Sequence, residues 1–159
     1  MTGIDPAAEA VDAARTHAEA TGLTIDYRNT VAESIVAAGE GFDTVLALEV
    51  IEHVADPSEF FSAVGTLVRP GGFFIGATLN RTPRSFVLAI VGAEYIFRWL
   101  PPGTHDWRRF LRPSEFVLGL RRNGLVATQL AGLVYDPRRG EWVLSPDLQV
   151  NYMVGAVRR

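Results

Sequence analysis

The chain has 159 residues, 48% of them hydrophobic, and a mean hydropathy of +0.13, which suits one globular domain with a core of its own. It contains no cysteine, so disulfides, thiolate metal sites and a cysteine nucleophile are excluded. The net charge of −3 gives no support to a nucleic-acid partner, and all 15 basic residues are arginine.

In chain order, Asp5-Pro6 predicts a helix start, with Asp as N-cap and Pro at the first helical position. The alanine-rich run Ala7 to Ala20 is helical, and Gly22 ends it. Leu23 to Tyr27 is a short strand candidate, Thr30 to Ala38 a short helix, and Gly39 to Gly41 a turn. Thr44 to Leu48 is a short apolar run after a glycine-rich turn and reads as a buried parallel strand. Asp56-Pro57-Ser58-Glu59 carries a capping-box pattern for a helix to about Val68. Pro70-Gly71-Gly72 breaks that helix before a strand from Phe73 to Leu79.

This alternation predicts a doubly wound α/β pattern, Rossmann-like, with helices on both faces of the sheet. Pro83 to Leu100 and Pro113 to Arg122 are further helices, the latter closed by Asn123-Gly124. Leu125 to Val134 and Val150 to Val157 are strand candidates. The link between them holds Pro137, Gly140 and Pro146 without helical periodicity, so an antiparallel terminal pair is expected. Such an ending is unusual for a nicotinamide-binding fold, and the chain shows no glycine fingerprint for that cofactor.

Residues 81 to 112 hold six arginines (81, 84, 98, 108, 109 and 112) against Glu94 and Asp106, a balance of +4 in a chain of −3. That asymmetry points one face at an anionic surface or ligand. Phe86 to Leu100 is apolar except for Glu94 and Arg98, an i, i+4 pair in the favourable order. As a helix it would run roughly 23 Å, short of the ~30 Å hydrocarbon core. Flanking arginines, with Tyr95, Trp99 and Trp107 at the polar boundary, suit a membrane surface; a cover helix over an active site fits the same pattern. The opening Met-Thr-Gly-Ile-Asp shows no basic or apolar leader.

Three polar groups, Glu49, Glu52 and His53, follow the Thr44 to Leu48 strand, where ligand crevices of open α/β sheets lie. If the chain turns helical at Glu49, the three share one face as i, i+3 and i+4.

The run Leu48-Glu49-Val50-Ile51-Glu52-His53-Val54, with Asp56-Pro57, Arg69-Pro70-Gly71-Gly72 and Thr78-Leu79-Asn80-Arg81, resembles class I S-adenosylmethionine-dependent methyltransferases. Val91-Gly92-Ala93-Glu94-Tyr95-Ile96, Gly103-Thr104-His105-Asp106 and Val150-Asn151-Tyr152-Met153 are more specific. With them the chain resembles, along essentially its whole length, the O-methyltransferases of ubiquinone biosynthesis. The resemblance implies a seven-stranded sheet with an antiparallel terminal hairpin, and S-adenosylmethionine as cofactor. It implies methylation of a 2-polyprenyl-6-hydroxyphenol and of 3-demethylubiquinol. It further implies a cytoplasmic enzyme peripheral to the inner face of a bacterial membrane, beside other ubiquinone-biosynthesis enzymes.

The family also has an earlier strand ending in a Gly-x-Gly-x-Gly loop. Met1 falls inside what would be the second strand, so the sequence reads as a fragment: one incomplete domain over residues 1–159, with a substrate- or membrane-facing insertion at about 81–112. A non-catalytic remnant acting as a membrane-docking or scaffold protein is the alternative.

By the resemblance Asp5 hydrogen-bonds the cofactor ribose, Leu48 packs near the adenosine, and Thr30 and Val31 line the adenine edge. From the residues alone, Asp5 is a plain cap and Leu48 a core leucine. The resemblance makes Glu49, Glu52 and His53 ligands of a divalent ion such as Mg²⁺, although imidazole suits a softer metal better. The residues alone allow two acids at a helix N-terminus, with His53 as a base. Methyl transfer from a sulfonium needs the phenol ionised, and a phenol titrates near 10. His53 is matched to that base role, and His105, beside Asp106, is the second candidate.

Overall fold

Two sheets organise the chain, each within its own compact unit, Met1–Gly41 and Phe42–Arg159. The computed structural model describes residues 1–96, 98, 101, 103–136 and 138–159, excepting the side chains of Ala93 and Glu94.

In the first unit β1 (Thr2–Asp5) and β2 (Asp26–Asn29) pair in parallel, Asp5 opposite Asn29, across helix α1 (Ala8–Thr21). The expected cap at Asp5 is displaced. Its backbone is still in the ladder, the N-cap is Ala7, and the Asp5 carboxylate instead accepts the Ala7 N–H at 2.7 Å. Gly22 ends α1 with φ 69°, as its position implied. A short α2 (Ala32–Ala37) follows β2.

In the second unit the strand order is β3-β4-β7-β5-β6. Strand β3 (Phe42–Leu48) pairs in parallel with β4 (Val68–Leu79). Strands β7 (Asn151–Arg158) and β5 (Leu125–Asp136) add antiparallel. The expected antiparallel ending is thus present. It gains a strand not anticipated, β6 (Glu141–Ser145), which folds back on β5 as a hairpin. The expectation of a buried β3 is corrected: among the described residues β3 is an edge strand paired with β4 alone, and Leu46 and Leu48 are 60% and 50% exposed.

Helix α3 (Pro57–Leu67) starts where the pattern predicted, with the Asp56 side chain accepting the Ser58 N–H at 2.7 Å. Helix α5 (Pro113–Arg122) also matches its predicted bounds. Both cover one face of the sheet. Phe74 and Thr78 of β4 stand opposite Ala156 and Tyr152 of β7, and Phe61 of α3 and Phe116 of α5 complete this core. Phe116 meets Phe61 edge-on at 5.2 Å and Tyr152 edge-on at 6.1 Å between ring centroids.

The expected helix from Pro83 to Leu100 is corrected in kind. Only α4 (Pro83–Ser85) is α-helical; Phe86–Ile96 is wound as a π-helix. Gly92 admits the winding, since a Cβ there would lie 3.3 Å from the Val87 carbonyl oxygen. Arg98 has φ 53° and lies beyond the helix, which ends at Ile96; the expected pairing with Glu94 falls outside the described residues. Trp99, Leu100 and the Glu94 side chain lie outside the described residues. Among the described residues no helix is long and apolar enough to cross a membrane.

Candidate active site

In the second unit, chemistry gathers where β3 ends. Glu49 does not begin a helix: its φ is 54°, and its N–H donates to Ala77 O at 2.9 Å. The chain then makes a tight turn through residues 51–53, with the His53 N–H bonded to Val50 O at 3.0 Å. The expected single helical face for Glu49, Glu52 and His53 is therefore absent. A left-handed residue at 49 redirects the chain before any helical turn can form.

The two acids nonetheless lie near enough for the charge on Glu52 to act on Glu49. Glu52 is 3% exposed, and its Oε2 accepts the Thr78 hydroxyl at 2.9 Å. Its Oε1 is buried without a hydrogen-bond partner among the described residues. The Glu49 carboxyl keeps contact with solvent yet is crowded by protein. That desolvation, then the negative charge of Glu52 and a hydrogen bond to it, raises Glu49 to about 7. A carboxyl so placed takes or gives a proton near neutrality.

His53 is exposed and lines a cavity of about 210 Å³ together with Glu52, His105, Asp106 and Arg109. The His53 and His105 rings are 6.3 Å apart. Asp106 caps the turn Trp107–Arg109 by accepting the Arg108 N–H at 2.9 Å. Glu52 and Arg109 also line a larger cavity of about 650 Å³, walled by Ile51, Val54, Phe61, Phe110, Leu111 and Leu118. Its rim carries Arg81, which is ion-paired with Glu115.

Among the described residues no three His, Asp or Glu side chains converge to hold a metal ion. Thr78 occupies one oxygen of Glu52, and the His53 ring lies against that of His105. The set Glu49, Glu52 and His53 does not fit a divalent cation in this arrangement, and no metal step is derived.

Of the residues expected to hold the cofactor, Asp5, Thr30 and Val31 belong to the first unit. Asp5 closes β1, and its carbonyl accepts the Thr30 N–H at 3.2 Å and Asn29 Nδ2 at 3.1 Å. One carboxylate oxygen of Asp5 holds Ala7; the other has no partner among the described residues. Val31 is 42% exposed. In the second unit Leu48 ends β3 half exposed, which the plain core reading does not explain.

Thr78 and Asn80 were not assigned roles from the sequence. The signal was present: two polar residues, i and i+2, close an otherwise apolar strand. Both are buried, and Asn80 Nδ2 donates to Leu148 O at 2.7 Å.

Comparison with known proteins agrees with this layout. A family model described as a methyltransferase domain matches residues 1–76. A ubiquinone biosynthesis O-methyltransferase of Methylobacterium sp. (strain 4-46) is 51% identical over 158 residues, 99% of this chain and 64% of that protein. One from Cereibacter sphaeroides (strain ATCC 17029) is 52% identical over 160 residues, covering 100% and 65%. The chain thus spans just under two thirds of the length of these relatives. Among solved structures, a SAM-dependent methyltransferase of Methanosarcina mazei superposes with TM-score 0.70 at 17% identity, covering 99% of this chain and 81% of that one. Magnesium protoporphyrin IX methyltransferase from Synechocystis PCC 6803 with bound SAH gives 0.67 at 19%, covering 99% and 63%. The chain thus has the fold of solved S-adenosylmethionine-dependent methyltransferases and is similar along its whole length to the ubiquinone biosynthesis O-methyltransferases.

Proposed function

We propose that this chain takes part in S-adenosylmethionine-dependent O-methylation of polyprenylated catechols and hydroquinols in ubiquinone biosynthesis. The observation that carries this reading is the convergence of Glu52, His53 and His105 on one cavity beyond the carboxyl end of β3. Its sequence support is the kinship to enzymes named for that reaction. The relatives give no support to a scaffold role.

In this reading the bound cofactor supplies an electrophilic methyl on its sulfonium. Asp5 suits its ribose, offering one carboxylate oxygen still without a partner, and half-exposed Leu48 offers an apolar surface. Thr30 and Val31 are assigned to the adenine edge. His53 and His105 are the bases that take the phenol proton, which must leave before oxygen attacks the methyl. The 650 Å³ cavity, mostly apolar and adjoining Glu52, accepts the prenylated end of the substrate.

Calorimetric titration with S-adenosylmethionine, followed by incubation with a short-chain prenyl catechol and mass spectrometry, tests the proposal. Micromolar cofactor binding and a 14-dalton mass gain, about one methylene, are expected; absence of both overturns it.

Contact with an anionic membrane surface is part of the same reading. The π-helix leaves Phe86, Val87, Leu88, Tyr95 and Ile96 between 43% and 66% exposed. Arg84 is less available than the sequence implied, being paired with Asp147 at 2.7 Å. Co-flotation with phosphatidylglycerol liposomes should fall in a Val87→Asp/Leu88→Asp variant; unchanged flotation rejects the membrane role.

A further inference from the structure

Glu52, Arg109 and Phe110 line both the 210 Å³ cavity of the two histidines and the 650 Å³ apolar cavity, so the two spaces share this wall. The turn that delivers Arg109 is fixed on either side of it. The Arg109 N–H donates to Asp106 O at 2.9 Å, the Trp107 indole N–H donates to Thr82 O at 3.0 Å, and Phe110 is buried. Arg109 is itself exposed, and among the described residues its guanidinium makes neither an ion pair nor a hydrogen bond. The small cavity also presents Glu52, Asp106, His53 and His105; the large one presents Arg108, Arg122 and the Arg81–Glu115 pair. Two carboxyl groups beside the imidazoles disfavour a further anion there, so a phenol ionises less readily unless a cation faces its oxygen. Arg109 is the permanent cation among the described residues that line the small cavity.

We propose that Arg109 is a catalytic residue: its guanidinium donates a hydrogen bond to the phenol oxygen of the substrate and holds that oxygen in its ionised, attacking form. This assignment rests on the functional reading above and adds to it the group that faces the developing charge. The phenol O–H bond breaks, its proton passes to a neutral imidazole, and the electron pair stays on the oxygen that the guanidinium faces. A prenyl tail running into the large cavity sets the ring against the wall that Arg109 shares, with its hydroxyl toward the two histidines. A planar fork of N–H donors is matched to such an oxygen, and it stays charged at every working pH. Because Arg109 reaches solvent, its field is screened, and its effect falls at the low end for an opposite charge in contact.

The probe is a short-chain prenyl catechol carrying a ring nitro group, whose ionised form is coloured; it is titrated with pH on the full chain and followed by absorbance. Bound to the native chain it should ionise at a lower pH than it does free in solution. Arg109→Gln should raise the pH of half-ionisation by about one unit, roughly a tenfold change in the ionisation constant. Arg109→Lys should keep about half of the native effect, since the charge is retained and the fork is lost. Arg121→Gln removes the same charge from a residue of α5 that lines neither cavity, and it should give the native value.

Bound nitrocatechol that ionises at the same pH as the free compound, or at a higher one, overturns the proposal on the native chain alone. An Arg109→Gln value equal to native overturns it as well. So does an equal shift from Arg121→Gln, which would make the effect one of net charge. If Arg109→Gln fails to fold by circular dichroism, Arg109→Met, which keeps the apolar stem, replaces it with the same expected shift. A native chain that binds neither the nitrocatechol nor S-adenosylmethionine in calorimetry removes the functional reading and this inference with it. Native binding of S-adenosylmethionine without the nitrocatechol, or ionisation indifferent to Arg109, removes the inference alone.

Discussion

Gly119→Ala sets two effects of opposite sign against each other. Gly119 lies inside α5, where alanine should stabilise the helix by about 1 kcal/mol. An added Cβ would, however, fall 2.3, 2.4 and 2.6 Å from three carbons of the Phe61 ring, against an ordinary contact of 3.4–4 Å. Phe61 is 5% exposed and wedged edge-on between Phe60 and Phe116, so it cannot retreat into the core without displacing another ring. Overpacking of this kind costs about 2 kcal/mol. The net is a destabilisation of about 1 kcal/mol, or a melting temperature lower by roughly 2–4 °C. Thermal unfolding followed by circular dichroism measures it. The one escape for Phe61 is the 650 Å³ cavity it lines. If the ring swings there freely, the clash vanishes and the variant melts higher than the native chain, which would refute the claim that packing holds Phe61. Adding Phe61→Leu to Gly119→Ala should restore part of the loss by removing the clashing atoms.

Three further outcomes follow from the same physics. Glu49 sits above its unfolded value of 4.5, so its contribution to stability is full below about pH 4.5 and fades as pH rises through about 7. Allowing for solvent access, about 1 kcal/mol should be lost over that range, and urea unfolding of Glu49→Gln should show the loss removed. Tyr152→Phe leaves the buried Leu111 carbonyl without its donor and should cost about 1–2 kcal/mol, a melting shift of roughly 3–6 °C; an unchanged melting temperature would show that water replaces the hydroxyl. Gly71 has φ 80° with open space around it, so Gly71→Ala should cost about 1 kcal/mol through backbone strain alone, and a denaturant midpoint equal to native would contradict that.

Much of the architecture was legible because it follows from local rules. The Asp56 cap, the Pro113 helix start, Gly22 as a left-handed stop and the antiparallel ending each depend on a few neighbouring residues. The family likeness was legible for a similar reason, since Gly-Thr-His-Asp and Glu-Val-Ile-Glu-His are contiguous. The errors arose where a nonlocal partner decides. Leu46 and Leu48 form an apolar run like any buried strand, but exposure depends on how many strands flank β3. The run from Phe86 to Ile96 is apolar enough for any helix, and its hydrogen-bond offset was set by more than composition.

The sequence alone singled out candidates for the chemistry: Glu49, Glu52, His53 and His105 were named from composition, order and resemblance. Tertiary structure decided what each does next to the others. A helical face was the natural inference from spacing, but the Glu49 backbone turned left-handed. Thr78, 26 residues further on, then captured the buried acid through β4. Spacing along a chain constrains neighbours three or four residues apart, whereas the partner of a buried carboxylate is whichever donor the sheet register delivers.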